Sequence, residues 1–219
     1  MNGLITGLSV DGILLAVLSP ALYGLICIKA NRASFAPTLI SAFIVGFTIS
    51  YAAYIVELLL SQGTLFKSEQ QAWLYFTALV AFPEETVKLA ALIGLTHNQV
   101  HQNRATLIIS CFIGCGFAAS ENVTYLKQFG ESVIAPRFLT ATAFHVFNAV
   151  IMGRLLINKT VQERALSICY ALLFPVILHG TYDYLIIRSS QNGGQFVFIL
   201  GFAAAAGIVT LRTFPMRSP

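Results

Sequence analysis

Long apolar runs and short polar clusters alternate along the whole chain, and this pattern predicts helices that cross a membrane. A helix needs roughly 20 apolar residues to span a hydrocarbon core of about 30 Å. Seven segments approach that length: Leu8–Ile28, Thr38–Leu60, Gln71–Leu95, Ala105–Leu126, Phe138–Ile157, Leu166–Ile187 and Gln195–Leu211. We therefore predict an all-α fold, a polytopic membrane helix bundle of about seven transmembrane helices.

The third segment differs from the others because it contains a proline and a charged cluster, in the stretch AFPEETVKLA. Proline has no N–H group and disfavours helical geometry in the residue before it. Phe82-Pro83 is thus either a kink or the first turn of a new helix. In the second case Glu84 and Glu85 lie at a helix N-terminus, where free N–H groups favour anions. We predict that the third span is broken or kinked at Pro83.

Composition supports a membrane protein and leaves no room for a sizeable soluble domain. Of 219 residues, 57% are hydrophobic and only 10% are charged, and the mean hydropathy is +0.77. Soluble domains carry about a quarter charged residues. We treat residues 1–219 as a single integral-membrane domain, with residues 71–187 as the core spans that carry its chemistry. The four cysteines fall inside apolar runs, where we expect packing and not disulfides.

The basic residues indicate topology, because they are scattered singly between the apolar runs. A net charge of +4 therefore does not indicate a nucleic-acid partner. Lys and Arg are enriched in cytoplasmic loops. With the N-terminus outside, the inner side holds Lys29, Arg32, Arg104, Arg154, Lys159, Arg164, Arg212 and Arg217, and the outer side holds Lys67, Lys127, Arg137 and Arg188. We predict a multi-pass protein of the cell membrane with its N-terminus outside and its C-terminus in the cytoplasm.

Four successive spans carry polar or ionisable residues, which are costly in a bilayer and mark a function or a partner. They are Glu84, Glu85 and Lys88 on the third span, Glu121 and Asn122 on the fourth, His145 and Asn148 on the fifth, and His179 and Asp183 on the sixth. The rise of ~1.5 Å per residue predicts a shared layer for Glu121, His145 and His179, roughly 8–12 Å below the outer boundary. Glu84 lies about 20 Å deep in a straight helix, so a break at Pro83 is needed to bring it to that layer.

These residue types suit hydrolysis. Two adjacent carboxylates cannot both ionise cheaply in a low dielectric, which suits one of them to act as a general base on water. Histidines from two other helices are suited to orient that water or to donate to an oxyanion. Lys88 is within helical reach of either carboxylate. The chain has neither a GxSxG motif nor a readable serine or cysteine nucleophile pair.

Other interpretations remain open at this point. Two histidines and several carboxylates could hold zinc in a metalloprotease, although no HExxH motif is present. Intramembrane acids and histidines also build proton relays in transporters. The inner halves of the fourth to sixth spans carry little beyond Arg154, which disfavours a relay to both faces. Glu84 or Glu85 with Lys88 could also form only a structural ion pair.

Four short motifs in order resemble the PrsW family of intramembrane proteases, relatives of the type II CAAX prenyl endopeptidases and bacteriocin-processing enzymes. The motifs are Glu84-Glu85-x-x-Lys88, Phe117-x-x-x-Glu121-Asn122, the span from His145 to Gly153, and His179-Gly-x-x-Asp183. They extend from about Pro83 to Asp183. The first two spans are similar to the family only in being hydrophobic.

The resemblance implies a bacterial, glutamate-dependent endopeptidase without a metal or other cofactor. Its expected partners are the bilayer and a membrane-anchored protein substrate such as an anti-sigma factor, and no nucleic acid. Glu84 would activate water with Glu85 tuning it, His179 would hold the oxyanion, and His145 would be a further catalytic residue. Supporting residues would be Lys88, Glu121, Asn122, Asn148 and Asp183.

Two positions depart from the prenyl-endopeptidase relatives. Glu121 stands where those enzymes have histidine, and Asp183 stands where they commonly have asparagine. Because an ionised Asp183 would repel an oxyanion, it is expected either to be protonated or to orient His179. Prenylated substrates are therefore not expected. The predicted orientation places cleavage near the extracytoplasmic side, unlike CAAX processing.

Overall fold

A computed structural model describes residues 9–30, 37–60, 68–97, 103–157, 159 and 161–192. Every regular element within these ranges is helical. They are α1 (Val10–Ala30), α2 (Pro37–Leu60), α3 (Glu69–Tyr75), α4 (Phe82–Thr96), α5 (Asn103–Phe129), α6 (Ile134–Arg137), α7 (Ala143–Leu156) and α8 (Val161–Asn192). A π-helical turn, Phe76–Ala81, joins α3 to α4, and a second, Phe138–Thr142, joins α6 to α7. The chain therefore forms six continuous helical rods in its described part.

Five of these rods are long and apolar enough to cross a membrane, which corrects the prediction of seven spans. They are α1, α2, α5, the rod Glu131–Leu156 that contains α6 and α7, and α8. The predicted third span is helical from Glu69 to Thr96. It is not among the five, because Glu84, Glu85 and Lys88 lower its hydropathy. The predicted seventh span, Gln195–Leu211, lies outside the described residues.

The third rod is widened just before Pro83 and not broken there. Ala81 has φ −63° and ψ −39°, and Phe82 has φ −63° and ψ −48°, so the backbone stays helical up to the proline. The N–H of Phe82 donates to the carbonyl of Thr77, a bond of the i→i−5 type that defines a π turn. Since the helix is continuous, Glu84 and Glu85 do not lie at a free helix N-terminus, and that part of the prediction is wrong.

Helix α5 lies at the centre of the bundle. Almost all of its residues between Thr106 and Ser120 are buried, and it packs against α1, α2, α4 and α7. By contrast, α1, α2 and α8 expose many large apolar side chains, among them Leu18, Ile44 and Leu173. Exposed apolar faces on helices of this length are typical of contact with lipid. The bundle thus presents an apolar outside to the membrane and buries α5.

The four cysteines, all within described helices, form no disulfide. Cys27, Cys111 and Cys115 are buried, as predicted for packing residues, and Cys169 is exposed. Cys169 differs because it lies on the outward side of α8, next to the exposed Tyr170.

Candidate active site

Helices α4, α5, α7 and α8 bring the predicted polar residues into one charged cluster. It consists of Glu84, Glu85, Lys88, Glu121, His145, His179 and Asp183, linked by contacts of 2.7 to 3.7 Å. The side chains of Glu121 and Asp183 are 21% and 22% exposed, whereas that of Glu84 is 7% exposed. The cluster is therefore buried and opens on the side of Glu121 and Asp183.

Lys88 lies at the centre of this cluster and is fully buried. Its Nζ lies 2.9 Å from Glu85 Oε1, 3.4 Å from Glu84 Oε2 and 3.0 Å from His145 Nδ1. The ammonium also lies 3.9 Å from the centroid of the Phe117 ring, a cation–π contact. A lysine ammonium has three N–H donors, and three acceptors surround it here. Lys88 thus contacts both glutamates, which helical spacing placed within its reach, and also a histidine from another helix.

His179 joins α8 to the glutamates of α4. Its Nδ1 lies 2.7 Å from Glu85 Oε1 and 3.7 Å from Glu84 Oε2. Its Nε2 lies 3.5 Å from Asp183 Oδ2, one helical turn further along α8. Because a carboxylate only accepts hydrogen bonds, Nδ1 is the donor to Glu85. The ring is therefore fixed at Nδ1 and only loosely held at Nε2.

Gly180 allows α8 to approach α4 closely enough for this contact. A Cβ atom built on Gly180 would lie 2.3 Å from Thr77 Oγ1 and 2.5 Å from Thr77 Cα, on the π turn before α4. Such distances require the helices to move apart. Close beside it, the indole Nε1 of Trp73 donates to Thr181 Oγ1 at 3.1 Å. The His179-Gly180 pair therefore places an imidazole where α8 and the third rod meet.

The predicted depths need correction, although the predicted meeting of residues is found. Glu85 contacts His179 directly, so the glutamates and the histidines share one layer. The rod that contains His145 begins before Phe138, where the predicted span started. His145 is the eleventh residue after Ile134, roughly 16 Å along the helix. His145 thus lies further from the start of its helical rod than the predicted span start at Phe138 implied.

The two asparagines stabilise the surroundings of the cluster. Asn122 donates from Nδ2 to Thr142 Oγ1 at 3.1 Å and accepts from Arg137 at 2.8 Å. Asn148 donates to the carbonyl of Pro175 at 3.2 Å and so ties α7 to α8. Both side chains are buried. These contacts tie α5 to the rod of His145 and α7 to α8.

Two residues of the site escaped the sequence analysis. Arg137, counted there as an outer loop residue, donates from Nη2 to Glu121 Oε2 at 2.8 Å. Glu57, on α2, interacts electrostatically with Glu84 and Glu121. Glu57 stands alone in an apolar run and Arg137 in a polar segment. Neither position carries a sequence signal that would link it to an acid on another helix.

Four residues of the cluster have the donor types of a metal site. Glu84, Glu85, His145 and His179 each offer one ligand atom, and these atoms lie within 4.8 Å of one another. Two imidazoles and two carboxylates suit zinc by type and number. However, the Lys88 ammonium already contacts three of these four residues. A metal cation bound to these atoms would compete with Lys88 for the same donors and be repelled by its charge.

Comparison with known proteins gives a consistent family match. The model of the family described as "PrsW family intramembrane metalloprotease" matches residues 36–211. The chain is 29% identical over 194 residues to "Protease PrsW" of Clostridioides difficile, covering 82% of this chain and 81% of the relative. It is 27% identical over 165 residues to "Protease PrsW" of Geobacillus kaustophilus, covering 72% and 70%. For "Protease PrsW" of Bacillus subtilis the identity is 27% over 115 residues, covering 50% and 53%.

No solved structure matches the chain. The family match contains all seven residues of the charged cluster, together with Glu57 and Arg137.

Proposed function

The chain belongs to the PrsW family of intramembrane proteases, and from this premise we propose that it hydrolyses peptide bonds of membrane-anchored proteins with a glutamate-activated water. The observation that supports this mechanism is the buried contact of Glu84 and Glu85 with Lys88 and His179. General acid–base catalysis requires a carboxylate and an imidazole within about one water of the same reacting atoms. The cluster meets that requirement in a part of the protein that excludes bulk water.

Glu84 is the proposed general base. Its contact with Lys88 is 3.4 Å long and its side chain is 7% exposed, whereas Glu85 lies 2.9 Å from Lys88 and is fully buried. Glu84 is thus held less firmly and lies closer to the open side of the cluster. Glu85 is held by both Lys88 and His179 through Oε1. Its buried Oε2 has no hydrogen-bond partner among the described residues, so it can accept one bond from water.

The proposed step transfers one proton through Glu84. As the water oxygen forms its bond to the scissile carbonyl carbon, a water proton passes to the Glu84 carboxylate. In its doubly protonated form, with Nδ1 donating to Glu85, His179 is placed to donate a second hydrogen bond from Nε2 to the carbonyl oxygen as it becomes an oxyanion. When the C–N bond breaks, the proton on Glu84 passes to the leaving amine. Asp183, 3.5 Å from Nε2, orients the His179 ring.

The alternative is a zinc-dependent protease, since the family description includes a metal and four suitable donors lie together. We favour the non-metal mechanism because Lys88 supplies a fixed positive charge among the same donors. A transporter is disfavoured by the family match. Metal content and chelator sensitivity separate the two protease mechanisms.

The proposed substrate is a protein with a single membrane anchor, such as an anti-sigma factor. This substrate class follows from the resemblance of the four motifs to the family and from the position of the site inside a bundle with apolar outer faces. With the N-terminus outside, as the basic residues indicate, and with the third rod also crossing the membrane in spite of its charges, Glu121 lies in the outer half of α5. Cleavage is then expected on the extracytoplasmic side of the membrane centre.

Replacing each glutamate separately tests this function. In liposomes that contain a single-span substrate tagged at both ends, we expect Glu84→Gln to lower the cleavage rate by roughly 10²–10⁴-fold, the usual contribution of a general base. Glu85→Gln is expected to lower both the rate and the stability, because the acceptor shared by Lys88 and His179 loses its negative charge. The fragment masses locate the cut, which is expected in the outer half.

A matched control is Glu69→Gln, since Glu69 pairs with Arg188 at an exposed position away from the cluster. It should cleave like the wild type. If Glu84→Gln and Glu85→Gln both cleave at the wild-type rate, the glutamate mechanism is wrong. If the cut lies near the inner face, the proposed orientation is wrong.

A further inference from the structure

Arg137 forms a buried contact with α5 that the hydrolytic step does not use. It is the last residue of α6 and its side chain is only 12% exposed. Its Nη2 donates to Glu121 Oε2 at 2.8 Å and its Nε donates to Asn122 Oδ1 at 2.8 Å. The guanidinium also lies 3.7 Å from the centroid of the Tyr125 ring. A planar guanidinium that donates from two nitrogens fixes its partners in direction as well as in distance.

The oxygen that Arg137 holds is the one that contacts His145. Glu121 Oε2 lies 2.8 Å from His145 Nε2. A carboxylate paired with a guanidinium only accepts hydrogen bonds, so Nε2 must carry the proton of this contact. Arg137 therefore determines which nitrogen of His145 is the donor.

The other nitrogen of His145 faces Lys88, which only donates. Lys88 Nζ lies 3.0 Å from Nδ1, so Nδ1 must offer its lone pair. The contacts on both sides require the same form of the ring, neutral with its proton on Nε2. Both nitrogens are then occupied inside the protein. In this arrangement both ring nitrogens of His145 are bonded to protein groups and not to a substrate or an oxyanion.

We propose that Arg137 is a positioning residue that acts through Glu121 and His145 to hold the Lys88 ammonium between Glu84 and Glu85. The relay Arg137–Glu121–His145–Lys88 is continuous, with successive contacts of 2.8, 2.8 and 3.0 Å across three rods. The effect of Arg137 on catalysis rests on the proposed function, whereas its effect on the position of the His145 ring proton does not. The two are therefore measured separately.

The first measurement is the nitrogen-15 NMR spectrum of histidine-labelled protein in detergent, with the His145 signals assigned from their loss in His145→Gln. We expect the wild type to show a protonated Nε2 and an unprotonated Nδ1. In Arg137→Gln the carboxylate of Glu121 loses its guanidinium partner. Both neutral tautomers of His145, with the proton on Nε2 or on Nδ1, should then be populated. Arg188→Gln, which removes an exposed arginine paired with Glu69, should leave the His145 spectrum unchanged.

The second measurement is the cleavage rate. Arg137→Gln is expected to lower kcat by about 10- to 100-fold, the usual loss when a residue that orients a site residue is removed, and to leave KM unchanged. Arg137→Lys should restore only part of the lost kcat. A lysine ammonium donates from a single nitrogen and cannot reproduce the two directed hydrogen bonds of the guanidinium to Glu121 and Asn122.

A wild-type spectrum with the proton on Nδ1 would overturn the relay, whatever the activity. An unchanged His145 spectrum in Arg137→Gln would do the same. If Arg137→Gln does not fold, the His145 spectra of the wild type and of Arg137→Lys still test the relay. If the spectra behave as expected while Glu84→Gln remains active, the relay stands and the glutamate mechanism fails.

Discussion

Lys88 is a fully buried cation whose three hydrogen-bonding groups are used inside the protein. Its partners are the two glutamates of its own helix and one histidine from α7. Charge burial is tolerated only where charges are paired and hydrogen-bonded. At the scale of single residues, Lys88 is therefore the group on which the geometry of Glu84 and Glu85 depends.

Lys88→Met should consequently damage both stability and activity. Methionine is unbranched and similar in length to lysine but carries no charge. The two buried carboxylates therefore lose their cation. Breaking a buried ion pair by removing one partner typically costs about 3–5 kcal/mol, so the free energy of unfolding in detergent should fall by that amount. Cleavage should fall at least as far as in Arg137→Gln.

The control is Lys127→Met, because Lys127 is an exposed lysine on α5. Both its unfolding free energy and its cleavage rate should match the wild type. A Lys88→Met protein with wild-type stability and rate would show that the ammonium does not hold the glutamates.

Residue types and spacing predicted the contacts that lie on one helix. Lys88 is three and four residues from the glutamates, and Asp183 is four residues from His179, so helical geometry alone brings them together. The contact of Lys88 with His145 joins residues 57 positions apart. Such a contact depends on how α4 and α7 pack, which spacing along one helix does not specify.

At the scale of the helices, the π turn before α4 and Gly180 on α8 set the distance between Glu85 and His179. The π turn widens the third rod at Phe76–Ala81, and Thr77 from this turn lies against Gly180. Small residues permit close approach of helices in membrane bundles. The hydrogen bond of 2.7 Å between the two helices follows from that approach.

Gly180→Ala should therefore separate α8 from the third rod. The added methyl group would lie within 2.5 Å of the Thr77 backbone, and overpacking of this kind costs about 1–3 kcal/mol. Since His179 is the preceding residue, we expect at least about a tenfold loss of kcat, which corresponds to 1.36 kcal/mol of transition-state stabilisation.

Gly94→Ala is the matched control. No atom lies within 4 Å of a Cβ at Gly94, which is also helical, so alanine should be neutral or stabilising by about 0.5–1 kcal/mol. Equal behaviour of the two alanine variants in unfolding and cleavage would contradict the role given to Gly180.

The existence of the helices was predictable, but their irregular parts were not. Apolar runs located α1, α2, α5, α7 and α8 within a few residues. The predicted fifth span begins at Phe138 and does not include the segment ESVIAPR, residues 131–137. In the structure it extends the rod of His145, since Arg137 is neutralised by Glu121 across the bundle. The π turn likewise depends on packing against α8.

At the scale of the whole molecule, a buried α5 organises the other helices, and their apolar faces meet the membrane. Hydropathy was sufficient to predict this architecture, because the long apolar runs of the sequence become the exposed apolar faces of the helices. The number of spans was less predictable. The charges of the third rod reduce its hydropathy because they serve the site. Residues 195–211 lie beyond the described part of the chain.

For the whole assembly, we propose that glutamate activates water in a cluster whose cation is Lys88 and not a metal. The most direct test is the cleavage rate of purified wild-type protein in liposomes after removal of metals by a chelator, with metal content measured by mass spectrometry. We predict an unchanged rate in protein that holds no stoichiometric metal ion. Loss of cleavage that zinc restores would contradict the account.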